Sequence, residues 1–494
     1  MVASTAHGGV VLAIDAGTTG VRTRAVFADG RASIADYREF TQHYPQPGWV
    51  EHDAEEIWQA VRATLQAVCS RLSEPIAAIG ITNQRETVVA IDRRSGEPLH
   101  RAIVWQDRRT AQHCDALAVH LPTVRATTGL VLDPYFSGSK VEWLLRNTEV
   151  SNNRNLGFAT IDAFLVHRLT GGTAFATDVT NASRTMLFDI RTLSWSDEMC
   201  AMFGIDSASL PGVVPSSGRI GVTVRDGAIP AGVPISGIAG DQQAALFGQA
   251  CFAVGSAKNT YGTGSFVLMN VGTACPAPTT GMLTTVAWQL GSQPAVYAYE
   301  GAIFVTGAAI QWLRDGLNII DASSEIGPLA ESVPDSGGVV VVPAFAGLGS
   351  PWWDAYARGA IFGITRGTSR AHIARAVVDS MVFQTRDVVD AMTQASGVAV
   401  RDLRVDGGAA VMNLMLQLQA DQLGVDVLRP TELETTAIGA AYLAGLAEGV
   451  WESTDDIASR WALERRFTPG DTDRDTTHAL WLRAVERSRG WVQS

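Results

Sequence analysis

The chain has 494 residues, of which 46% are hydrophobic and 18% are charged, and its formal net charge is −12. This length is enough for two large domains, and this composition excludes a chain that is disordered throughout. The negative charge, with no basic stripe along any predicted helix, argues against a nucleic-acid partner.

The N-terminus and the cysteines bear on the cellular compartment. The first nine residues carry no lysine, no arginine and no apolar segment, so we expect no signal peptide. No apolar run reaches the roughly 18 residues that favour a membrane span. The five cysteines are odd in number and widely scattered, which favours reduced thiols and gives no metal-cluster spacing. We therefore expect a cytoplasmic protein without membrane insertion.

The first predicted element is a strand, a tight turn and a second strand. Apolar residues at 10–14 and a β-like run at 21–27 flank the sequence DAGTTG at 15–20. Glycine lets backbone amides approach an anion closely, and threonine hydroxyls add donors, so such a turn can cradle a phosphate. A carboxylate at Asp15 can hold Mg²⁺, usually through water, or can cap its own turn.

Predicted helices and strands alternate along the rest of the chain, which indicates α/β architecture. A capping-box pattern at 53–56 opens a helix whose apolar residues recur every three or four positions up to residue 72. A second α/β block begins near Cys251, with a strand at 403–405 and a helix rich in small residues at 436–447. We expect the charged C-terminal segment to cap this second block.

A polar loop between two predicted strands contains Arg85 and Glu86. An arginine fork beside a carboxylate complements the neighbouring hydroxyls of a small polyol, although a surface ion pair is the alternative. Trp105 and Tyr135 can add an apolar wall and a hydroxyl, although aromatic residues in an α/β chain are usually core.

Asp241 stands where a predicted strand ends and a helix of small residues begins. A carboxylate at such a junction is well placed as a general base for a hydroxyl. It can equally serve as the N-cap of the helix. Both interpretations stay open at this point.

A second Gly/Thr turn, GTGS at 262–265, lies about half a chain from the first. Two such turns suggest two domains that grip one polyphosphate from opposite sides. Gly408 follows a predicted strand, where bare backbone can admit a flat purine ring or merely permit a tight connection. Gln311, on the predicted helix after Gly307, is a further possible nucleotide contact.

Several familiar catalytic motifs are missing from the sequence. It has no Gly-x-x-x-x-Gly-Lys-Ser/Thr loop, no His-Glu-x-x-His zinc motif and no Gly-x-Ser-x-Gly elbow. These absences exclude the usual P-loop NTPases, zincin proteases and α/β-hydrolases.

Longer segments resemble the FGGY carbohydrate kinases of the actin/hexokinase/Hsp70-like superfamily, and within them the members that act on glycerol. The most specific segments are residues 45–52, 80–87, 103–110, 180–185 and 240–249. The resemblance implies an α/β fold of two actin/hexokinase-like (ribonuclease H-like) domains, with mixed sheets flanked by helices and the active site in the cleft between them. The expected domains are residues 1–251 and 252–494.

The resemblance also implies an activity: ATP-dependent phosphorylation of glycerol to sn-glycerol 3-phosphate by in-line transfer, in glycerol uptake and catabolism. It implies ATP and Mg²⁺ at the site, and a homodimer or homotetramer. Two alternatives stay open. One is an FGGY kinase for another small polyol or sugar, and the other is a non-catalytic regulator that depends on nucleotide.

Individual residues receive roles from the same resemblance. Asp241 would accept the proton of the attacking hydroxyl. The residues implied to bind glycerol are Arg85, Glu86, Trp105, Tyr135, Asp241, Gln242 and Phe266. The residues implied to hold the nucleotide are Thr18, Thr19, Arg22, Gly262, Thr263, Gly307, Gln311, Gly408 and Met412. The residues implied to hold Mg²⁺ are Asp15 and Asp241.

The chain departs from the family pattern at two places. Ala16 and Gly20 stand where glutamine and serine are usual in the first turn, which predicts weaker phosphate contacts there. Met412 stands where an asparagine near the adenine is common, with Asn413 beside it. The resemblance therefore supports the choice of acceptor more firmly than the choice of nucleotide and the affinity for it.

Overall fold

Two large mixed β-sheets form the centre of the molecule in a computed structural model that describes residues 9–471 and 473–492. The strands, in chain order, are β1 (Val10–Ala16), β2 (Gly20–Phe27), β3 (Ile34–Glu39), β4 (Gln42–His43), β5 (Glu51–His52), β6 (Ile76–Asn83), β7 (Val89–Asp92), β8 (Ala102–Ile103), β9 (Leu156–Ala159), β10 (Ala176–Asp178), β11 (Phe188–Asp189), β12 (Ser194–Trp195), β13 (Gly212–Val214), β14 (Ser217–Val222), β15 (Pro234–Gly240), β16 (Ser256–Tyr261), β17 (Ser265–Gly272), β18 (Leu283–Trp288), β19 (Val296–Ile303), β20 (Val340–Val342), β21 (Ala360–Phe362), β22 (Asp402–Asp406), β23 (Val427–Pro430) and β24 (Leu463–Phe467).

Helices connect and flank these strands. In chain order they are α1 (Ala54–Cys69), α2 (Ala111–Ala116), α3 (Leu121–Thr128), α4 (Ser137–Asn147), α5 (Ile161–Leu169), α6 (Val179–Ala182), α7 (Asp197–Met202), α8 (Asp241–Gly248), α9 (Gly307–Gln311), α10 (Ile326–Glu331), α11 (Arg370–Ser396), α12 (Asn413–Leu423), α13 (Thr435–Ala447), α14 (Thr454–Arg460) and α15 (Arg474–Ser488). Among the described residues, no helix is both long and apolar enough to cross a membrane.

The first sheet has the strand order β14-β15-β6-β1-β2-β3. β1 pairs with β2 in the antiparallel direction and with β6 in the parallel direction, so the sheet is mixed. β6 and β15 lie side by side and parallel, and both end at the same edge as β1. This edge therefore gathers the segments that follow three strands: the first turn, the polar loop of Arg85, and Asp241.

The second sheet has the strand order β18-β19-β17-β16-β22-β23-β24. β16 and β17 form an antiparallel hairpin around the second turn. β22 runs parallel to β16, so residue 406 lies beside Thr260 near this turn. The sheet thus brings Gly408 and the second turn to one edge.

Small residues let the two halves of the molecule approach closely. α13 packs against α8 and against the first sheet, although in sequence it lies between β23 and β24 of the second sheet. A Cβ added to Gly439 would lie 1.8 Å from the Ala244 carbonyl oxygen, and one added to Gly80 would lie 2.1 Å from that of Ala440. These positions require glycine because the neighbouring backbone occupies the space of a side chain.

Several local predictions can be compared with these elements. Asp53 caps α1 by accepting hydrogen bonds from the amides of Glu55 and Glu56. The reciprocal half of the predicted capping box is wrong, because the Glu56 carboxylate accepts from the Thr41 amide over 2.9 Å instead. The C-terminal segment adds β24 to the second sheet, and the buried Trp481 of α15 packs against Val340 and Val342 of β20 and Phe383 of α11.

Candidate active site

The first turn is held by hydrogen bonds to its carbonyl oxygens. Gln84 Nε2 donates to the Gly17 oxygen over 3.0 Å, and Gln42 Nε2 donates to the Thr18 oxygen over 2.9 Å. The Phe40 amide donates to the Thr19 oxygen over 3.4 Å. Because neighbouring loops fix all three carbonyls, the turn is a rigid frame for its threonine side chains.

Asp15 ends β1 beside this turn, opposite Arg22 on β2. Burial raises the pKa of the Asp15 carboxyl to about 7, and the negative charge of Asp241 adds to the rise, whereas Arg22 opposes it. The two predicted magnesium ligands, Asp15 and Asp241, are therefore close enough to repel each other, although one lies on β1 and the other follows β15. Two adjacent carboxylates of this kind are stabilised by a cation.

Arg22 itself forms an ion pair with Glu434, which precedes α13. No local pattern in the sequence indicated this pair. Both side chains are partly exposed, so the contact is accessible to solvent and to a ligand. The positive charge of Arg22, which was predicted to hold the nucleotide, is therefore balanced by a carboxylate from the other half of the molecule.

Arg85 and Glu86 lie in the loop after β6, and both side chains are only 2% exposed. The interpretation as a surface ion pair is therefore wrong. Glu86 has a φ of 63°, a left-handed conformation that non-glycine residues adopt at an energetic cost and that is common at functional sites. The Glu86 side chain accepts a 2.7 Å hydrogen bond from Arg184 Nε, which fixes its direction.

The Arg85 guanidinium is the centre of the predicted acceptor pocket. Its Nε lies 3.2 Å from Asp241 Oδ1, and its Nη2 donates to the Tyr135 hydroxyl over 3.4 Å. The Phe266 ring centroid is 5.9 Å from Arg85 Cζ. The Trp105 and Tyr135 rings meet edge to face with centroids 5.6 Å apart. The structure thus brings together the polar and aromatic residues that were predicted to bind glycerol.

Tyr135 lies just before α4, where it faces Arg85 and Trp105. Burial raises the pKa of its phenol, and the charge of Glu86 raises it further. The hydroxyl is therefore protonated at neutral pH. It can donate one hydrogen bond to a substrate oxygen while accepting from Arg85.

Asp241 is the first residue of α8, and Gly240 is the N-cap. Asp241 Oδ1 accepts from the Gln242 amide over 2.7 Å, but the N-cap is Gly240, so the interpretation of Asp241 as the N-cap of this helix is wrong. Its side chain is 31% exposed, which leaves it accessible to a substrate hydroxyl. The interpretation of Asp241 as a general base stays a prediction.

Gln242 is largely buried, and its side-chain oxygen accepts a 2.5 Å hydrogen bond from Lys258 Nζ on β16. Burial lowers the pKa of Lys258 to about 8, although the charges of Asp406 and Asp241 act in the opposite direction. Sequence reasoning missed Lys258. Its signal in the sequence was a lysine in the segment that leads into the second turn.

The second turn and α9 form one backbone unit. The Gly307 amide donates to the Gly262 oxygen over 3.0 Å, and the Ala308 amide donates to the Thr263 oxygen over 3.0 Å. A Cβ on Gly307 would lie 2.5 Å from the Gly262 oxygen, so this close approach needs glycine.

A cleft of about 640 Å³ opens beside this unit. Six of the residues predicted to hold the nucleotide line it, namely Gly262, Thr263, Gly307, Gln311, Gly408 and Met412. Asn413 lines the same cleft, so an asparagine side chain is available next to Met412. Thr18, Thr19 and Arg22 are not among its lining residues, because Thr18 and Thr19 belong to the first turn and Arg22 to the adjoining strand β2.

Two charged side chains complete the acceptor pocket and were assigned no role from the sequence. Glu300 lies on β19, and Arg184 follows α6. Both are fully buried, and each contacts the other as well as the Arg85–Glu86 pair. A single carboxylate in an otherwise uncharged strand was the available signal for Glu300.

Within the described ranges, no group of three or more His, Cys, Asp or Glu side chains is arranged to hold a metal ion. The two predicted magnesium ligands, Asp15 and Asp241, both offer carboxylate oxygens. The arrangement suits an ion that keeps several waters and takes further ligands from phosphate.

Family models match this chain in two parts. The model for the N-terminal domain of the FGGY family of carbohydrate kinases matches residues 10–248, and that for the C-terminal domain matches residues 257–448. The chain belongs to the FGGY family of carbohydrate kinases. Within this family it is similar to the glycerol kinase of Symbiobacterium thermophilum, with 54% identity over 98% of this chain and 99% of the relative. It is also similar to the glycerol kinase of Deinococcus radiodurans, with 52% identity over 97% and 98%.

Solved structures agree with this assignment. Plasmodium falciparum glycerol kinase with ADP superposes with a TM-score of 0.92 at 33% identity, and 100% of each chain is covered. Gluconate kinase from Lactobacillus acidophilus superposes with a TM-score of 0.87 at 20% identity over 97% of each chain, a likeness that shows the fold alone. The predicted family and fold class are confirmed. The roles of individual residues stay predictions.

Proposed function

We propose that this chain transfers the γ-phosphoryl group of ATP to glycerol, forming sn-glycerol 3-phosphate and ADP. The observation that carries this proposal is the buried pocket around Arg85, in which Glu86, Tyr135 and Asp241 converge beside two aromatic rings. The full-length identity above 50% to glycerol kinases supports glycerol as the acceptor.

The pocket suits a three-carbon polyol. Arg85 and Tyr135 offer donors, and Glu86 and Asp241 offer acceptors, so adjacent hydroxyls can each find a partner. Trp105 and Phe266 provide apolar surface for the carbon chain. Because the donors and acceptors are largely buried, a substrate that leaves one unpaired is disfavoured.

Asp241 is the proposed general base. It is accessible, it lies at a helix N-terminus, and it is held 3.2 Å from Arg85, so its orientation is fixed before substrate binds. In phosphoryl transfer the protein mainly positions the reactants in line and stabilises charge. The first turn and Thr263 are proposed to hold the phosphates from opposite sides, and exclusion of water would prevent ATP hydrolysis.

The residues at the first turn also fit Mg²⁺. Burial and the charge of Asp241 destabilise the ionised form of Asp15, as the rise of its pKa to about 7 indicates, and a divalent cation would relieve this cost. We propose that Asp15 and Asp241 hold the ion, mainly through water. When bound, the ion supplies neutralisation of the phosphate charge.

The remaining predictions from the sequence are also proposals. The gap between the family matches, from 249 to 256, supports a boundary between domains 1–251 and 252–494. Each of the five cysteines has a free thiol in the structure, which supports a cytoplasmic protein. The family resemblance supports a homodimer or homotetramer, which sedimentation velocity can test.

Substrate choice tests the proposal directly. Initial rates of ADP formation should be measured with glycerol, erythritol, xylulose and gluconate. We expect glycerol to have the highest kcat/KM, because the pocket pairs few hydroxyls in a confined space. A higher kcat/KM for another acceptor would favour the alternative FGGY kinase. No acceptor-dependent ADP formation at all would favour a non-catalytic regulator.

A further inference from the structure

Glu300 lies in the middle of β19 with a fully buried side chain. Its Oε2 accepts from Arg85 Nη1 over 2.6 Å, and its Oε1 accepts from Arg85 Nη2 over 3.0 Å. Oε1 also accepts from Arg184 Nη2 over 2.9 Å. One carboxylate from the second sheet therefore holds two arginines of the acceptor pocket.

The contact between Glu300 and Arg85 uses both oxygens and both terminal nitrogens. Such a fork-to-fork pair fixes the plane of the guanidinium as well as its distance. Once that plane is fixed, the remaining nitrogen, Nε, can point only to one side of the pocket. On that side it lies 3.2 Å from Asp241 Oδ1.

We infer that Glu300 is the positioning residue of the acceptor pocket, holding Arg85 in the orientation that receives glycerol and faces Asp241. This inference rests on the proposed function and adds a residue to which no role had been given. The hydrogen bonds that the Glu300 carboxylate accepts come from Arg85 and Arg184. Its effect passes through Arg85.

Charge balance within the pocket supports this role. Burial alone would raise the pKa of Glu300, but the charges of Arg184 and Arg85 outweigh it and lower the pKa to about 2. The carboxylate is therefore ionised whenever the enzyme is folded near neutral pH. Without it, two buried guanidinium groups would face each other, with Glu86 and the partly exposed Asp241 as their remaining acidic partners in the pocket.

Arg184 extends the effect of Glu300 to the second polar group of the pocket. It donates to Glu300 through Nη2 and to Glu86 through Nε over 2.7 Å. The positions of Arg85 and Glu86 thus depend on the same carboxylate. Because Glu300 belongs to the second sheet and Arg85 follows β6 of the first, the pocket is complete only when the two sheets are docked.

The test compares Glu300→Gln with Asp387→Asn, a matched control. Asp387 is also a buried carboxylate with two donors, His478 Nε2 at 2.7 Å and Trp481 Nε1 at 2.8 Å, but none of its partners belongs to the pocket. We expect Glu300→Gln to lower kcat/KM for glycerol about 100-fold, as small misplacements at an active site do. KM for ATP should stay within about twofold, and Glu300→Asp should recover part of the loss.

A merely structural role would give a different pattern. Loss of folded enzyme lowers the apparent kcat of both variants alike and leaves KM for glycerol unchanged. That pattern, or a kcat/KM for Glu300→Gln within about threefold of the wild type, would overturn the inference. If the wild-type protein shows no activity toward glycerol, the proposed function fails instead, and the two failures are distinguishable.

A second measurement does not depend on the folding of a variant. A crystal structure of the wild-type protein with glycerol should retain both Arg85–Glu300 hydrogen bonds while Arg85 contacts a glycerol hydroxyl. A structure in which Arg85 leaves Glu300 to reach glycerol would contradict the positioning role.

Discussion

The indole Nε1 of Trp105 donates a hydrogen bond to Thr18 Oγ1 over 3.0 Å. Trp105 is a wall of the proposed acceptor pocket, and Thr18 belongs to the proposed phosphate turn. The two subsites are therefore in direct contact, as in-line transfer between their ligands requires. We expect a change in the direction of the Thr18 hydroxyl to alter kcat/KM for ATP.

Trp105→Phe keeps an aromatic wall and removes this donor. A neutral hydrogen bond contributes about 0.5–1.5 kcal/mol, so we expect kcat/KM for ATP to fall roughly 2- to 12-fold. Trp195→Phe is the matched control, because its Nε1 donates to the Pro211 oxygen over 2.8 Å away from the pocket. Equal effects of the two variants on kcat/KM for ATP would contradict the coupling.

Glu434→Gln tests the ion pair that occupies Arg22. If Arg22 binds phosphate, it must exchange Glu434 for ATP, and removing the carboxylate should lower KM for ATP. Exposed pairs contribute about 0.2–1 kcal/mol, so the expected decrease is roughly 1.5- to 5-fold. Asp36→Asn, which removes the partner of Arg38 on β3, is the control and should leave KM for ATP unchanged. An increase in KM for Glu434→Gln would show that the pair assists nucleotide binding.

Asp162 gives the protein a pH-dependent stability. Burial raises the pKa of its carboxyl from 3.8 to about 7, and the charge of Asp178 adds to the rise. Between these values the folded protein keeps a proton that the unfolded chain has lost, so this group lowers the free energy of unfolding as pH rises through that window. Asp162→Asn should therefore show a smaller decrease in melting temperature from about pH 5 to pH 8 than the wild type. The exposed Asp197→Asn is the control and should show the same decrease in melting temperature as the wild type. An equal decrease for Asp162→Asn and the wild type would contradict the assignment.

Gly439→Ala tests the close packing of α13 on α8. The new methyl group would lie 1.8 Å from the Ala244 oxygen, so the helices must separate. Overpacking of this kind costs about 1–3 kcal/mol, which urea unfolding would measure. Because Asp241 begins α8, activity should decrease as well. Gly218→Ala on β14 has no neighbouring atom within 4 Å of its new Cβ and should change neither property.

Local pattern was sufficient to predict the strands around the first turn and the helix of small residues in the second block. The apolar runs around residues 15–20 became β1 and β2, and the helix expected at 436–447 became Thr435–Ala447. Periodicity and turn chemistry act over a few residues, so they can be read directly from the chain. The comparisons confirmed the family and the fold class, whereas the roles within the site stay predictions.

Long-range contacts could not be predicted in this way. Glu300 lies 215 residues from Arg85, and Glu434 lies 412 residues from Arg22. Such separations along the sequence do not predict the distance in space until the docking of the two sheets is known. Arg184 was within a segment that resembles the family, but its contact with Glu86 depends on the left-handed turn at Glu86.

The central claim is that Asp241 is the base for a bound glycerol, and Asp241→Asn tests it most directly. Glycerol affinity, measured by calorimetry, and steady-state ADP formation should be determined on the same preparation. We expect glycerol binding within about tenfold of the wild type, because an asparagine keeps one acceptor oxygen. Turnover should fall about 10²- to 10⁴-fold, the usual contribution of general-base catalysis. Turnover close to that of the wild type, with glycerol bound normally, would contradict the claim.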